Sequence, residues 1–132
     1  MSNEQIITEI NIIRGKISVL YTIGKRSFLW NSKDAKFIGN NFEDWDWRIT
    51  DIHHNPGIGI VEVMSILTPN TTTVILSRGY DNVLETQGSV FAFLEKKGIK
   101  VIHLTTPEAV DKLNELLPVL GKKLSALIHS TC

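Results

Sequence analysis

The stretch Thr71-Thr72-Thr73-Val74-Ile75-Leu76-Ser77-Arg78-Gly79 decides the reading of this chain. Val74-Ile75-Leu76 is an unbroken apolar run, too short for a helix, β-branched in character and bounded by turn formers. That predicts a strand buried on both faces. Working outward, the sequence supplies the layers such a strand needs. Upstream, Ile60, Val63, Met64 and Leu67 fall at i, i+3, i+4 and i+7, one helical face, between the breaker Asn55-Pro56-Gly57 and the stop Thr68-Pro69-Asn70. Downstream, Val90, Phe91, Phe93 and Leu94 form a second helical face, closed by cations and a glycine at Lys96-Lys97-Gly98.

Ile99 to Leu104 predicts the next strand. Thr106-Pro107-Glu108 predicts a helix start with Thr106 as N-cap, and Ala109, Val110, Leu113, Leu116 and Leu117 form its buried stripe. Pro118 and Gly121 end that helix, and Lys122 to His129 is the last strand, with Leu124, Ala126 and Ile128 on one face. Strand–helix–strand alternation implies parallel pairing under helices.

The front of the chain differs. Ile6, Ile10 and Ile12 lead to Arg14-Gly15, and Lys16 to Ile23 follows with Ile17, Val19 and Tyr21 alternating along it. The positions between them are Ser18, Leu20 and Thr22, and the branched and aromatic residues at period two predict two strands joined as a hairpin. Phe28–Trp30 and Lys36–Ile38 are two more short strand candidates, Gly39-Asn40-Asn41 is a turn, and Glu43 to Thr50 is extended. Residues 24–33 are the expected mobile loop. The fold class is therefore α/β and three-layered: a mixed central β-sheet flanked by helices, with an additional N-terminal β layer.

The 132 residues form a single expected domain, 1–132, and 14 basic against 14 acidic residues leave no net charge. Neutrality argues against nucleic acid as a partner, because phosphate binding runs on excess Lys and Arg. A hydrophobic content of 42% argues against disorder. No apolar run approaches the ~20 residues that span a bilayer, so no membrane partner is expected. The single cysteine, Cys132, cannot form an intrachain disulfide, so nothing argues for secretion. Met1 to Gln5 carries no positive charge in its side chains, and Glu4 and Glu9 precede the first basic residue, Arg14. A cytoplasmic location is the expectation.

Trp45-Asp46-Trp47-Arg48, Thr50, His54 and Pro56-Gly57 are followed by Arg78-Gly79, then Leu94-Glu95-Lys96-Lys97-Gly98-Ile99, then His129-Ser130-Thr131-Cys132. From about Asp34 onward this ordered set resembles the adipogenesis-associated conserved-domain family, which extends to archaeal and bacterial proteins and to a mitochondrial relative that assists assembly of respiratory complex I. The resemblance implies the same mixed sheet with helices and an added β layer. It implies no reaction. Its roles are in differentiation or complex assembly, and they suggest a protein partner, unidentified here.

Several residues can carry chemistry. Trp45 and Trp47 share one face of an extended segment, as an aromatic shelf or as core anchors, and the core reading carries more weight. Arg48 faces the other way, towards Asp46 or an anion. His53 and His54 point apart on an extended chain. With four histidines and one cysteine scattered along the sequence, no metal and no cofactor are expected. His54 before Pro56 serves a turn.

Ser77-Arg78-Gly79 is the strongest candidate, because ligands favour the carboxyl ends of parallel strands. If the strand ending at Leu104 is parallel to it, Thr105 and Thr106 reach the same rim with the amides of the next helix, an anion seat. Arg78 would add a forked charge and Gly79 a close backbone approach. The candidate ligand residues are thus Arg78, Gly79, Thr105 and Thr106, with Arg48 and His54 nearby. The structural alternative is that Gly79 makes a turn and Arg78 ties loops together. No catalytic residue stands out: Cys132 has no evident base, Ser77, Ser89 and Ser130 lack a nucleophile elbow, and the acids Glu43, Asp44 and Asp46 read as a solvated edge. Lys122-Lys123 reads as a charged strand start. The leading expectation is a non-catalytic domain acting through protein contacts. A small-anion-binding protein or unrecognised enzyme is the alternative. Small domains commonly pair symmetrically, so a homodimer is also among the expectations.

Overall fold

The computed structural model describes residues 4–46 and 57–131. The front of the chain is a three-stranded antiparallel sheet in the order β1 (Gln5–Ile13), β2 (Lys16–Ile23), β3 (Arg26–Ser32). The remainder builds a five-stranded mixed sheet from β4 (Asp34–Ile38), β5 (Asn41–Asp44), β6 (Thr73–Ser77), β7 (Lys100–Leu104) and β8 (Leu124–His129), in the order β5-β4-β8-β6-β7. Three α-helices among the described residues connect it: α1 (Ile60–Met64), α2 (Gly88–Lys96) and α3 (Thr106–Leu120).

As the alternation predicts, β6 is parallel to both β7 and β8. It is buried along its whole length. Strand alternation divides the core in two. Ile75, Ala126, Ile128, Phe37 and Ala35 face the three-stranded sheet and the Ala109–Leu113–Leu117 stripe of α3. Val74, Leu76 and Leu127 face Val63 and Ile66 on one side and Val90 and Leu94 of α2 on the other. The molecule is thus three layers: β1–β3 with α3, the central sheet, then α1 and α2.

Several elements depart from the sequence pattern. Phe28–Trp30 is a strand as its residues suggest, and the loop expected over 24–33 shrinks to a turn at Gly24, whose φ is +60°, because Arg26–Ser32 pairs with β2 residue for residue. A two-residue loop with glycine first is the hairpin turn that matches strand twist. In α1, Met64 is 56% exposed and Ile66 is fully buried. The short helix is rotated by its own cap: Glu62 is buried and accepts the Gly59 N–H at 2.9 Å, so Val63 and Ile66 point inward and Met64 outward.

The N-cap of α3 is Thr105, with Thr106 already helical, and Pro118 lies inside the helix, which runs on to Leu120. Gly121–Lys123 is a 3-10 turn, so Lys122 and Lys123 precede β8 and do not begin it. The extended reading of Glu43–Thr50 holds as strand only to Asp44, and residues from Trp47 to Pro56 lie outside the described ones.

The outer edge of β1 is covered. Asn114 of α3 accepts the Ile10 N–H at 2.9 Å and donates to the Ile10 carbonyl at 2.8 Å. Asn40 accepts the Ile7 N–H at 2.9 Å, and a register irregularity between Ile7 and Glu9 bends the strand. These are devices that stop an edge from recruiting another strand.

Candidate functional site

The carboxyl end of the central sheet carries its polar residues in a row. Asp34 on β4 is the register partner of His129 on β8. Leu76 pairs with Leu127 and with His103, so two residues further on Arg78 stands in line with His129 and with Thr105. The Arg78 N–H donates to the Leu104 carbonyl at 2.8 Å, and the Thr106 N–H donates to the Gly79 carbonyl at 3.1 Å. Arg78, Gly79, Thr105 and Thr106 therefore do meet at one rim. Arg48 and His54 lie outside the described residues.

The use each group is put to differs. Thr106 is fully buried and its hydroxyl donates to the His129 carbonyl. The Thr105 hydroxyl donates to Glu108 Oε1 at 2.6 Å, so an acidic side chain already stands at the N-terminus of α3. Ser77 Oγ accepts the His129 N–H at 2.7 Å. These bonds tie β6, α3 and β8 together. Arg78 is the exception. Its Nε is buried without a hydrogen-bond partner, and its guanidinium pairs with no carboxylate among the described residues.

Behind Arg78 lies His103, whose ring packs on Phe91 with centroids 5.4 Å apart and whose Nε2 is 3.3 Å from Thr86 Oγ1. Burial, and then the neighbouring Arg78 charge, hold its imidazole below the usual range.

A second group went unseen in the sequence. His129 is 3% exposed; its Nδ1 lies 2.8 Å from Asp34 Oδ1 and its Nε2 3.0 Å from Thr131 Oγ1. Asp34 Oδ1 also accepts the Ser130 N–H at 3.0 Å. Carboxylate, imidazole and hydroxyl in this order are the parts that activate a nucleophile in acyl transfer. Here the buried imidazole and the shared carboxylate fasten residues 129–131 to β4. Asp34 and His129 are 95 residues apart, and no spacing rule connects them.

Trp45 is buried in the core beside Ile58 and Leu76, the anchor reading rather than the shelf; Trp47 lies outside the described residues. Glu43, Asp44 and Asp46 line a cleft of about 300 Å³ between β4–β5 and α1, where Lys36 donates to Ser65 at 3.1 Å. No group of three or more metal-ligating side chains occurs among the described residues, and no helix there is long and apolar enough to cross a membrane.

No protein-family model matches the chain. Its fold is shared with solved structures. A conserved hypothetical protein, PH1505, from Pyrococcus horikoshii OT3 is similar at a TM-score of 0.67 and 22% identity, over 94% of this chain and 99% of that one. A protein designated MT938 is similar at a TM-score of 0.63 and 18% identity, over 98% and 100%. A protein from Bartonella henselae described as an outer membrane protein is similar at a TM-score of 0.66 and 14% identity, over the whole of both chains. At these identities the likeness is one of fold: this chain has the mixed α/β architecture of conserved hypothetical proteins such as PH1505 and MT938.

Proposed function

We propose that this chain is a non-catalytic cytoplasmic domain that works by binding other proteins, as a regulator or assembly-type factor. The resemblance to the adipogenesis-associated conserved-domain family, carried by Trp45-Asp46-Trp47-Arg48, Pro56-Gly57 and Arg78-Gly79, supports it. The observation that carries it is a contrast. At the carboxyl end of the sheet the Thr106 and Ser77 hydroxyls and the His129 imidazole are directed onto the fold's own groups. The outer face of the three-stranded sheet instead presents Leu29, 63% exposed, directly opposite Leu20, 37% exposed. Adjacent exposed leucines on a sheet face suit a protein partner. Affinity capture from cells tests this: reproducible partners that Leu20→Lys releases support it, and no reproducible partner overturns it.

Arg78, which meets no carboxylate among the described residues, favours a second reading, a small anion such as a phosphate or carboxylate held at the rim, with Thr105 beside it and Arg48 and His54 as the expected neighbours. A thermal-shift screen of phosphates, nucleotides and carboxylates tests it. Stabilisation that Arg78→Ala abolishes supports this reading, and a flat screen removes it.

A further inference from the structure

We propose that the free edge of β3 pairs antiparallel with β3 of a second copy of this chain, about a two-fold axis at Leu29, so that two three-stranded sheets become one continuous sheet. This deepens the interaction reading by naming one partner, and it stands on three observations.

The first is that, among the described residues, β3 is the sheet edge left without a cover. Side-chain amides and an irregularity cover β1. At the ends of the central sheet, β5 is four residues long and ends in Glu43-Asp44, and β7 begins with an exposed Lys100. In contrast β3 is seven residues long, mostly exposed, and carries no charge between Arg26 and its end at Ser32. An exposed, apolar, uncharged edge is a template for another strand.

The second is hydrogen-bond parity. The loop Gly24-Lys25 is closed by the pair Ile23 and Arg26, and a two-residue hairpin loop is closed by a hydrogen-bonded pair. Pairs then alternate, so Arg26, Phe28, Trp30 and Ser32 direct their backbone groups to β2. Ser27, Leu29 and Asn31 direct theirs to the open edge. A two-fold axis at Leu29 sets Leu29 against the partner's Leu29 and Ser27 against the partner's Asn31. Every outward residue then meets an outward residue, for about six hydrogen bonds. A shift of one residue would oppose outward groups to Phe28 and Trp30 and lose them all.

The third is side-chain complementarity in that register. Phe28, on the inner face, falls beside the partner's Trp30. Arg26 falls opposite the partner's Ser32, and in each chain the Ser32 hydroxyl is bonded to the Asp44 carboxylate. The two-fold axis thus brings the cation at one end of the strand to the anion at the other, twice over. A seven-residue strand pair is a small interface, so association depends on concentration.

Sedimentation of the purified protein, from low micromolar to near-millimolar concentration, is the test. The expected mass rises from 14.8 kDa towards twice that value. Leu29→Lys sets like charges against each other at the axis and holds the chain monomeric. Val119→Lys, at an exposed apolar position of α3 on the β1 side of the sheet, leaves the dimer intact. Arg26→Asp weakens association at least tenfold, and adding Asp44→Arg restores it. Amide exchange slows with concentration at Ser27, Leu29 and Asn31 and is unchanged at Phe28 and Trp30. A monomer at every concentration overturns the proposal, as does a dimer that survives Leu29→Lys. A monomeric protein that still captures a cellular partner overturns self-pairing and leaves the interaction reading standing. A dimer with no captured partner does the reverse.

Discussion

Asp34 and His129 are joined at 2.8 Å inside the protein, the first residue of β4 bonded to the last residue of β8. The same Asp34 oxygen accepts the Ser130 N–H, so one carboxylate fixes both His129 and Ser130. Asp34→Ala leaves a buried imidazole and a backbone N–H without an acceptor, and we expect a loss of about 3 kcal/mol. Asp34→Asn keeps an acceptor for Ser130 and costs less. Urea denaturation of the two variants measures the difference.

Asn114 is the second such clamp. It satisfies both backbone groups of Ile10 across 104 residues of sequence. Asn114→Ala leaves those groups unpaired at a sheet edge and should cost about 2 kcal/mol. Because it uncovers the β1 edge, we also expect faster aggregation on heating, followed by light scattering.

Gly57 should tolerate no side chain. Its φ is +84°, and a Cβ there would sit 1.9 Å from the Glu85 carbonyl oxygen. The tight approach is imposed by the next residue, whose N–H donates to that same carbonyl at 2.8 Å. Gly57→Ala combines left-handed strain with a backbone clash and should cost more than about 2 kcal/mol. Gly15→Ala is the control, with φ +89° and open space around the position, and should cost less. Thermal denaturation separates them.

His103 predicts a pH dependence. Burial, and secondarily Arg78, depress its folded-state pKa below the ordinary imidazole range. The unfolded chain therefore binds the proton more readily than the folded one, and stability falls as pH drops through the ordinary imidazole range. The loss levels off once the pH is below the depressed folded value. His103→Gln should flatten this part of the stability–pH curve. Arg78→Gln removes the secondary cause and should move the His103 imidazole resonance in an NMR titration towards a higher midpoint.

Much of the architecture was legible along the chain. The buried run Val74-Ile75-Leu76, the α2 exit at Lys96-Lys97-Gly98 and the α3 stripe each depend on residues within a few positions of one another. Periodicity and capping report such local relations directly. Gly98 at φ +73° is where the glycine of that exit was expected to matter. The rim of Arg78, Gly79, Thr105 and Thr106 was legible for the same reason, once parallel pairing of β6 and β7 was inferred.

Several readings failed where pairing or capping overrode the local pattern. The loop expected over 24–33 rests on a glycine and cations that sit at the turn, and pairing with β2 extends the Phe28–Trp30 strand candidate to Arg26–Ser32. Met64 fits the helical face of α1 by spacing, and the Glu62 cap turns it outward. Pro118 reads as a helix stop, yet the helix continues through it to Leu120.

By itself the sequence determined which segments are strands and helices over most of the chain, and that the latter half pairs in parallel, because those outcomes follow from side-chain periodicity and turn chemistry acting over a few residues. Only the tertiary structure decided that Asp34 meets His129, that Asn114 guards β1, and that Arg78 is left without a carboxylate among the described residues. Each depends on packing that brings residues from far apart in the chain within hydrogen-bonding reach, and no local pattern encodes that distance.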